Sequence, residues 1–422
     1  MKKIISLLLC LVLAAFTFVG CRRDRIGDEL DDSLKGYVKE SLTLNFYIVG
    51  DTTNDNATVN ARINNYTEKK FNTSLNIVYC NESDYQSTVI SALTAAKAAI
   101  ESGASDEASL NAIKNKPDFF LINSPEMMKL LYEEGHLADL TEFFYPEIYE
   151  KRVEIYPDQE NTFHAEIIKD CEGFHNQIAE TLLDASVIYE DSIDPTTQNT
   201  VTNAKHYCVP NNRVIGSYEY LLIHRDTAET IGYQGSAAQL AAFTTYESTK
   251  ELRDAIEAKN LNVEDYVRVV RGKYEDKAMY ESGTYPSDDK KYACNILSYP
   301  EIAGMPADGV TIPAGVDNVF NSVLAVNKHS DADRAMEIIY AINTDDIFHN
   351  YLQYGVQDTN YTIDAETGLV DYKQINTAEN KYFMNPIYTG DVFKILPSQN
   401  WTEADKLNGD KQNDESRIYK AS

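Results

Sequence analysis

The sequence predicts an α/β fold with a parallel sheet covered by helices, divided between two lobes or domains. Strand-like and helix-like segments alternate three times between residues 42 and 135, a pattern that parallel strands with helical crossovers produce. The 422 residues also exceed what one hydrophobic core usually serves.

The elements follow in order. Leu42–Val49 (LTLNFYIV) combines β-branched and aromatic residues and suits a buried strand. The polar run from Gly50 to Asp55 is a turn, and Val59–Phe71 is a helix whose apolar residues Val59, Ile63, Tyr66 and Phe71 share one face. Leu75–Tyr79 is the second strand, Tyr85–Ser102 the second helix and Pro117–Ile122 the third strand. Met127–Glu134 is a helix that stops at Gly135, where a left-handed cap costs little. Ligands of such sheets gather beyond the carboxyl ends of the strands, so the loops after Val49, Tyr79 and Ile122 are the first place to look for a site.

Ahead of this body, Lys2 and Lys3 precede an apolar stretch from Ile4 to Phe18, and Val19-Gly20-Cys21 forms a small-residue processing site. Residues 1–20 are therefore expected to be a signal peptide, with Cys21 as the lipidation site. A retained transmembrane anchor is the competing reading, disfavoured because the stretch is short for a bilayer. Two acyl chains on Cys21 would hold the protein stably on the outer face of the cell membrane, an extracellular setting. Residues 21–40 then read as a polar tether.

The formal charge of −28 becomes two units more negative once the leader departs. Such a surface repels phosphate backbones and anionic lipid, so no nucleic-acid partner is expected. Solubility alone also accounts for the charge. Cys80, Cys171, Cys208 and Cys294 lie far apart without metal-ligand spacing; an exported compartment permits disulfides among them but does not require any.

Several segments, in their order, resemble the extracellular solute-binding proteins of ABC importers, specifically the carbohydrate-binding family 1 type. These are the lipoprotein leader, Pro117-Asp118-Phe119, Gly135-His-Leu-Ala-Asp-Leu140, Lys205-His-Tyr-Cys-Val-Pro210 and Leu221-Leu-Ile-His-Arg-Asp226. The strand Val323–Lys328 with the helical Asp333–Tyr340 completes the set, which covers roughly residues 1–400. The resemblance implies a two-lobed, type II periplasmic-binding-protein-like fold whose lobes are joined by crossover hinge strands, Lys205–Pro210 being the first. Lobe one would comprise 41–214 plus 325–374, and lobe two 215–324 plus 375–422. Family members continue for several helices after a segment like Asn385–Asp391, so the second lobe is expected to be short or incomplete at its C-terminal end.

The same resemblance implies a sugar or oligosaccharide held in the cleft and delivered to the transmembrane subunits of an ABC permease. Sugar sites combine aromatic platforms with amides, carboxylates and guanidinium groups. On position, the ligand-binding candidates are Asp51 and Asn54 after the first strand, and Asn123 and Ser124 after the third. Arg213 and Tyr218 stand at the first crossover, and Asn318 and Ser322 at the second. Tyr388, Asp391 and Trp401, the one tryptophan, complete the group. Each has a plain structural alternative: helix caps for Asp51 and Ser124, an ion pair for Arg213, a turn for Tyr388 and Asp391, and a partly buried ring for Trp401.

Motifs of catalysis are missing. The seven histidines form no pair at metal-binding helical spacing, and no nucleophile elbow or phosphate-cradling glycine loop occurs. Asp51-x-Thr53-x-Asp55 resembles the start of a calcium loop, but Asn56 and Arg62 stand where glycine and glutamate are needed. No metal or cofactor is expected, and the chain is read as a binding protein, not an enzyme. Three alternatives stay open: a binding protein for peptides or another small nutrient, a surface glycosidase, and an adhesion lipoprotein.

Overall fold

A computed structural model describes residues 40–51, 56–193, 199–215, 218–224, 226–232, 246–272, 292–296, 318–371, 382, 384–399 and 401–415. Cys21, the leader and Asn54 lie outside the described residues. The fold is mixed α/β with two separate larger sheets.

The first sheet has the strand order β2-β1-β3-β10-β6. Its strands are β1 (Leu42–Val49), β2 (Thr73–Cys80), β3 (Phe119–Ile122), β6 (Val209–Pro210) and β10 (Val323–Val326). β1 runs parallel to β2 and β3, whereas β10 is antiparallel to both β3 and β6. Burial follows position. Residues Leu44 to Val49 are all buried because β1 is central and covered on both faces, while β2, at the edge, alternates buried and less buried residues. Phe46 stacks on Phe119 at 4.3 Å, and the buried Tyr85 hydroxyl donates to the Tyr47 and Leu121 carbonyls at 3.0 and 2.7 Å.

The crossovers are helices α1 (Asn56–Phe71) and α2 (Glu82–Ser102), followed by α3 (Glu107–Lys114) and α4 (Pro125–Glu133). Val59, Ile63, Tyr66 and Phe71 form the buried face of α1, and Tyr85, Val89, Leu93, Ala96 and Ala99 that of α2. Gly135 follows α4 with φ +67°, the left-handed conformation expected of it.

Two segments differ from expectation. α3, of eight residues, carries no fully buried residue and was not expected; Asp106 caps it by accepting from Ser109 N at 3.0 Å. Lys205–Pro210 is not one strand. Lys205 ends an antiparallel hairpin of β4 (Ile188–Ile193) with β5 (Thr200–Lys205), and only Val209–Pro210 joins the first sheet. Between them His206 turns into the core, stacks on Phe144 at 4.3 Å and accepts through its carbonyl from Leu140 N.

The second sheet is antiparallel, with β7 (Tyr218–His224) between β8 (Val267–Gly272) and β9 (Tyr292–Ile296). Leu221 and Ile223 pack with Leu252, Ile256, Val263 and Val267 in a core of their own, to which the helix α5 (Tyr246–Glu257) contributes. The chain then returns through β10 and α6 (Ala332–Thr344), which buries Ala335, Met336, Ile338, Ile339 and Ile342 in the first core. Tyr382, Met384 and Tyr388 belong to that same core. The chain thus leaves the first sheet through β6, builds a second one and re-enters through β10, the connectivity of a two-lobed, type II periplasmic-binding-protein-like fold. No helix among the described residues is long and apolar enough to cross a membrane.

Candidate functional site

Because β6 parallels β3 and β10 opposes both, the strands β1, β2, β3 and β6 end, and β10 begins, at one edge of the first sheet. Asp51, Glu82, Asn123, Asn211–Arg213 and Asn318–Ser322 all emerge there, at the edge where open α/β sheets present ligand sites.

The two crossovers are fastened to each other. Asn211 N donates to the Ser322 carbonyl at 3.2 Å, and its side-chain amide donates to Ser322 Oγ at 2.9 Å and to the Ile387 carbonyl at 3.3 Å. Ser322 Oγ in turn donates to the Ile387 carbonyl. Arg213 is only 3% exposed and its Nη2 donates to the Asn318 carbonyl at 2.9 Å. A third segment grips the first crossover: in helix α7 (Glu403–Glu415), Asn413 accepts from Ile215 N at 2.9 Å and donates to the Arg213 carbonyl at 2.7 Å. Gly409, one turn earlier, permits this approach, since a Cβ there would lie 2.5 Å from Val214 Cγ2.

Beside the crossovers, Tyr388 donates to Glu82 Oε1 at 3.0 Å. Burial first, then the Glu82 carboxylate, pushes the phenol up to about 12, against the opposing pull of Arg213 and a hydrogen bond with Asn123. Gln86 donates to Asn123 Oδ1 at 2.9 Å and to Ser124 Oγ at 3.1 Å. Asn123, Arg213, Asn318, Ser322 and Tyr388 are therefore brought together through shared partners.

The other candidates stand elsewhere or in other roles. Ser124 caps α4 by accepting from Met127 N at 3.1 Å. Asp51 is exposed, and its carbonyl accepts from Asn56 Nδ2 at 3.1 Å. Tyr218 opens β7 in the second sheet, and its side chain lies outside the described residues, as does Asn54. Trp401 donates through Nε1 to the Val392 carbonyl at 2.8 Å and packs with Phe393 and against the cluster of Tyr354, Tyr361, Val370 and Ile395. Asp391, 1% exposed, lies beneath the first crossover: its carboxylate accepts from Phe393 N at 2.9 Å, and Val392 N donates to the Asn212 carbonyl at 2.8 Å. Burial raises its carboxyl to about 7, with hydrogen bonds from Asn212 and Phe393 N offsetting part of the shift.

Sequence reasoning missed Glu82, Gln86 and Asn211. The first two lie just past the carboxyl end of β2, where the strand-end rule places ligand groups. Asn211 was legible only as a neighbour of Arg213.

Two other ionisable centres are structural. His164 is clamped between Asp333 at Nδ1 and Glu142 at Nε2, and Arg152 grips the same Glu142 from Nε and Nη2, both at 2.7 Å. Burial disfavours the imidazolium, yet the two carboxylates overcome it and hold His164 up to about 9. Both ring nitrogens are occupied, which leaves none to take a proton from a nucleophile. His349 is fully buried, and burial lowers it to about 3. No group of three or more His, Cys, Asp or Glu among the described residues is placed to hold a metal ion.

No protein-family model matches this sequence, and no curated protein matches it significantly. Among solved structures, the N-glycan transport solute binding protein NgtS from Streptococcus pneumoniae aligns over 89% of this chain and 83% of its own, with 14% identity and a TM-score of 0.49. The HMO binding ABC-transporter associated solute binding protein from Bifidobacterium longum infantis aligns over 89% and 83%, with 12% identity and a TM-score of 0.42. A sugar transporter from Rhizobium etli in an open conformation aligns over 71% and 75%, with 14% identity and a TM-score of 0.32.

Proposed function

We propose that this chain is the lipid-anchored, extracellular substrate-binding component of an ABC importer, which captures a sugar or oligosaccharide between its lobes and delivers it to a membrane permease. The observation that carries the reading is the pair of crossovers. They leave and re-enter the first sheet side by side, at the edge where Asn123, Arg213, Asn318, Ser322 and Tyr388 converge. A ligand touching both lobes would favour a closed form by its differential affinity, and the crossovers would absorb the rotation. Cys21 supplies the anchor and the tether of residues 21–40 the reach.

A thermal-shift screen against mono- and oligosaccharides tests the cargo, because a ligand selective for the folded form raises stability by RT ln(1 + [L]/Kd). A hit should also compact the protein in solution scattering and be recovered unchanged. Steady release of product from the sugar would replace this reading with a glycosidase; shifts with peptides alone would replace the cargo class.

A further inference from the structure

We infer that the converged residues select cargo by charge: they accept an uncharged, hydroxyl-rich glycan and reject one bearing carboxylates, with Glu82 as the specificity-determining residue. The inference rests on the carbohydrate reading above and narrows it. Its basis is which hydrogen-bonding groups remain on offer at the sheet edge. Four of the set's donors are spent on the protein: Gln86 on Asn123 and Ser124, Asn211 on Ser322 and the Ile387 carbonyl, Arg213 on the Asn318 carbonyl, and Tyr388 on Glu82. The charged groups turned outward are carboxylates, beside the neutral side-chain amide of the exposed Asn318, whose Oδ1 accepts from Phe320 N at 3.0 Å. Glu82 is exposed and engages Tyr388 through Oε1, and Asp51 and Asp84 stand exposed at the same edge, Asp84 in the first turn of α2.

Carboxylates accept hydrogen bonds and cannot donate them, so the complementary cargo is one rich in donors, as a neutral glycan's hydroxyls are. An acidic sugar presents acceptors to acceptors and like charge to like. At an effective dielectric of about 20, a carboxylate brought within about 10 Å of Glu82 loses roughly tenfold in affinity. Arg213, the guanidinium in the set, is directed to the Asn318 carbonyl and buried, which keeps it from serving as an exposed clamp for acids.

The test is an array of neutral oligosaccharides beside the same oligosaccharides capped with sialic or hexuronic acid, probed with the full chain at low ionic strength and followed by calorimetry on the matched pairs. Neutral members should bind about tenfold or more tightly than their acid-capped partners. Raised salt should narrow that gap, and Glu82→Gln should narrow it at low salt. Acid-capped members that bind as well as or better than neutral ones overturn the inference alone. An unchanged ratio in Glu82→Gln overturns the role of Glu82. Failure of every glycan, neutral or acidic, overturns the carbohydrate reading and this inference with it.

Discussion

Replacing Asp391 with asparagine should stabilise the protein above neutral pH and do little near pH 4. In the native state the carboxyl is 1% exposed, and burial raises it from 3.8 to about 7, helped by nearby Asp410 and opposed by Asn212, Phe393 N and Lys394. Below pH 4 both the folded and the unfolded chain hold the proton. Between pH 4 and 7 the unfolded chain releases it while the folded chain retains it, so stability falls as pH rises through this window. A shift of about three units at 1.36 kcal/mol each gives a loss on the order of 4 kcal/mol by pH 8, undiminished by solvent at a site this buried. Asparagine keeps an oxygen for Phe393 N and carries no charge at any pH. The variant should therefore match the parent near pH 4 and exceed it by up to about 4 kcal/mol at pH 8. The assay is urea unfolding followed by the fluorescence of Trp401, the only tryptophan, whose indole donates to the Val392 carbonyl next to the mutated residue. A difference between the two proteins that stays constant from pH 4 to 8 would refute the reasoning.

The clamp on His164 has the opposite partner logic: its folded value of about 9 lies above its ordinary 6.5, so its contribution is complete below pH 6.5 and lost as pH rises through 9. His164→Asn should cost about 1 kcal/mol more at pH 6 than above pH 10, after allowance for solvent screening, as read by thermal unfolding across pH. Arg334→Met should cost about 3–5 kcal/mol, because the buried guanidinium donates to the Phe71, Asn72 and Glu40 carbonyls at 2.7, 2.8 and 3.0 Å. Hydrogen exchange should then speed first at the end of α1 and the start of β1. Asn413→Ala strips the Ile215 amide and Arg213 carbonyl of their shared partner and should cost about 1–3 kcal/mol, with faster exchange at the Ile215 amide as its local signature.

How far the sequence disclosed this structure depended on periodicity. Leu42–Val49 matches β1 residue for residue, because a strand covered on both faces is dense in apolar residues, here broken only by Thr43 and Asn45. Helices α1 and α2 begin three residues earlier than their apolar faces suggest, since the polar first turns carry no burial signal. The helix α3 is only eight residues long and buries none of them fully, and the hairpin Ile188–Lys205 has residues too polar to read as strands. For the site, Asn123, Arg213, Asn318, Ser322 and Tyr388 are candidates on position, and they stand at one edge through shared partners. Position left Ser124 between a helix cap and a ligand group, and Trp401 between a partly buried ring and a platform; Ser124 accepts from Met127 N and Trp401 donates to the Val392 carbonyl, while the burial of Asp391 depends on Asn212, a partner far off in sequence.

The same residues that line the candidate site also fasten the crossovers, and this overlap bears on how binding would couple to motion. Asn211 joins Ser322, Arg213 joins the Asn318 carbonyl, and Asn413 holds the Arg213 carbonyl from a third segment. Three chain passages tied in this way cannot rotate independently without breaking buried hydrogen bonds, each a penalty of about 1–3 kcal/mol for the group left unsatisfied. A closing rotation would therefore proceed by turning all three together, with the φ and ψ changes taken up outside the bonded pairs. A ligand hydroxyl that bonds to Glu82 or Asn123 on the first sheet and to a group on the second lobe would then work against a few collective torsions. Removing Asn413 should loosen that coupling, so Asn413→Ala should weaken ligand-induced compaction more than it weakens the ligand's contacts at Glu82. Scattering and calorimetry on the same variant would separate the two effects, and equal losses in both would count against a coupled hinge.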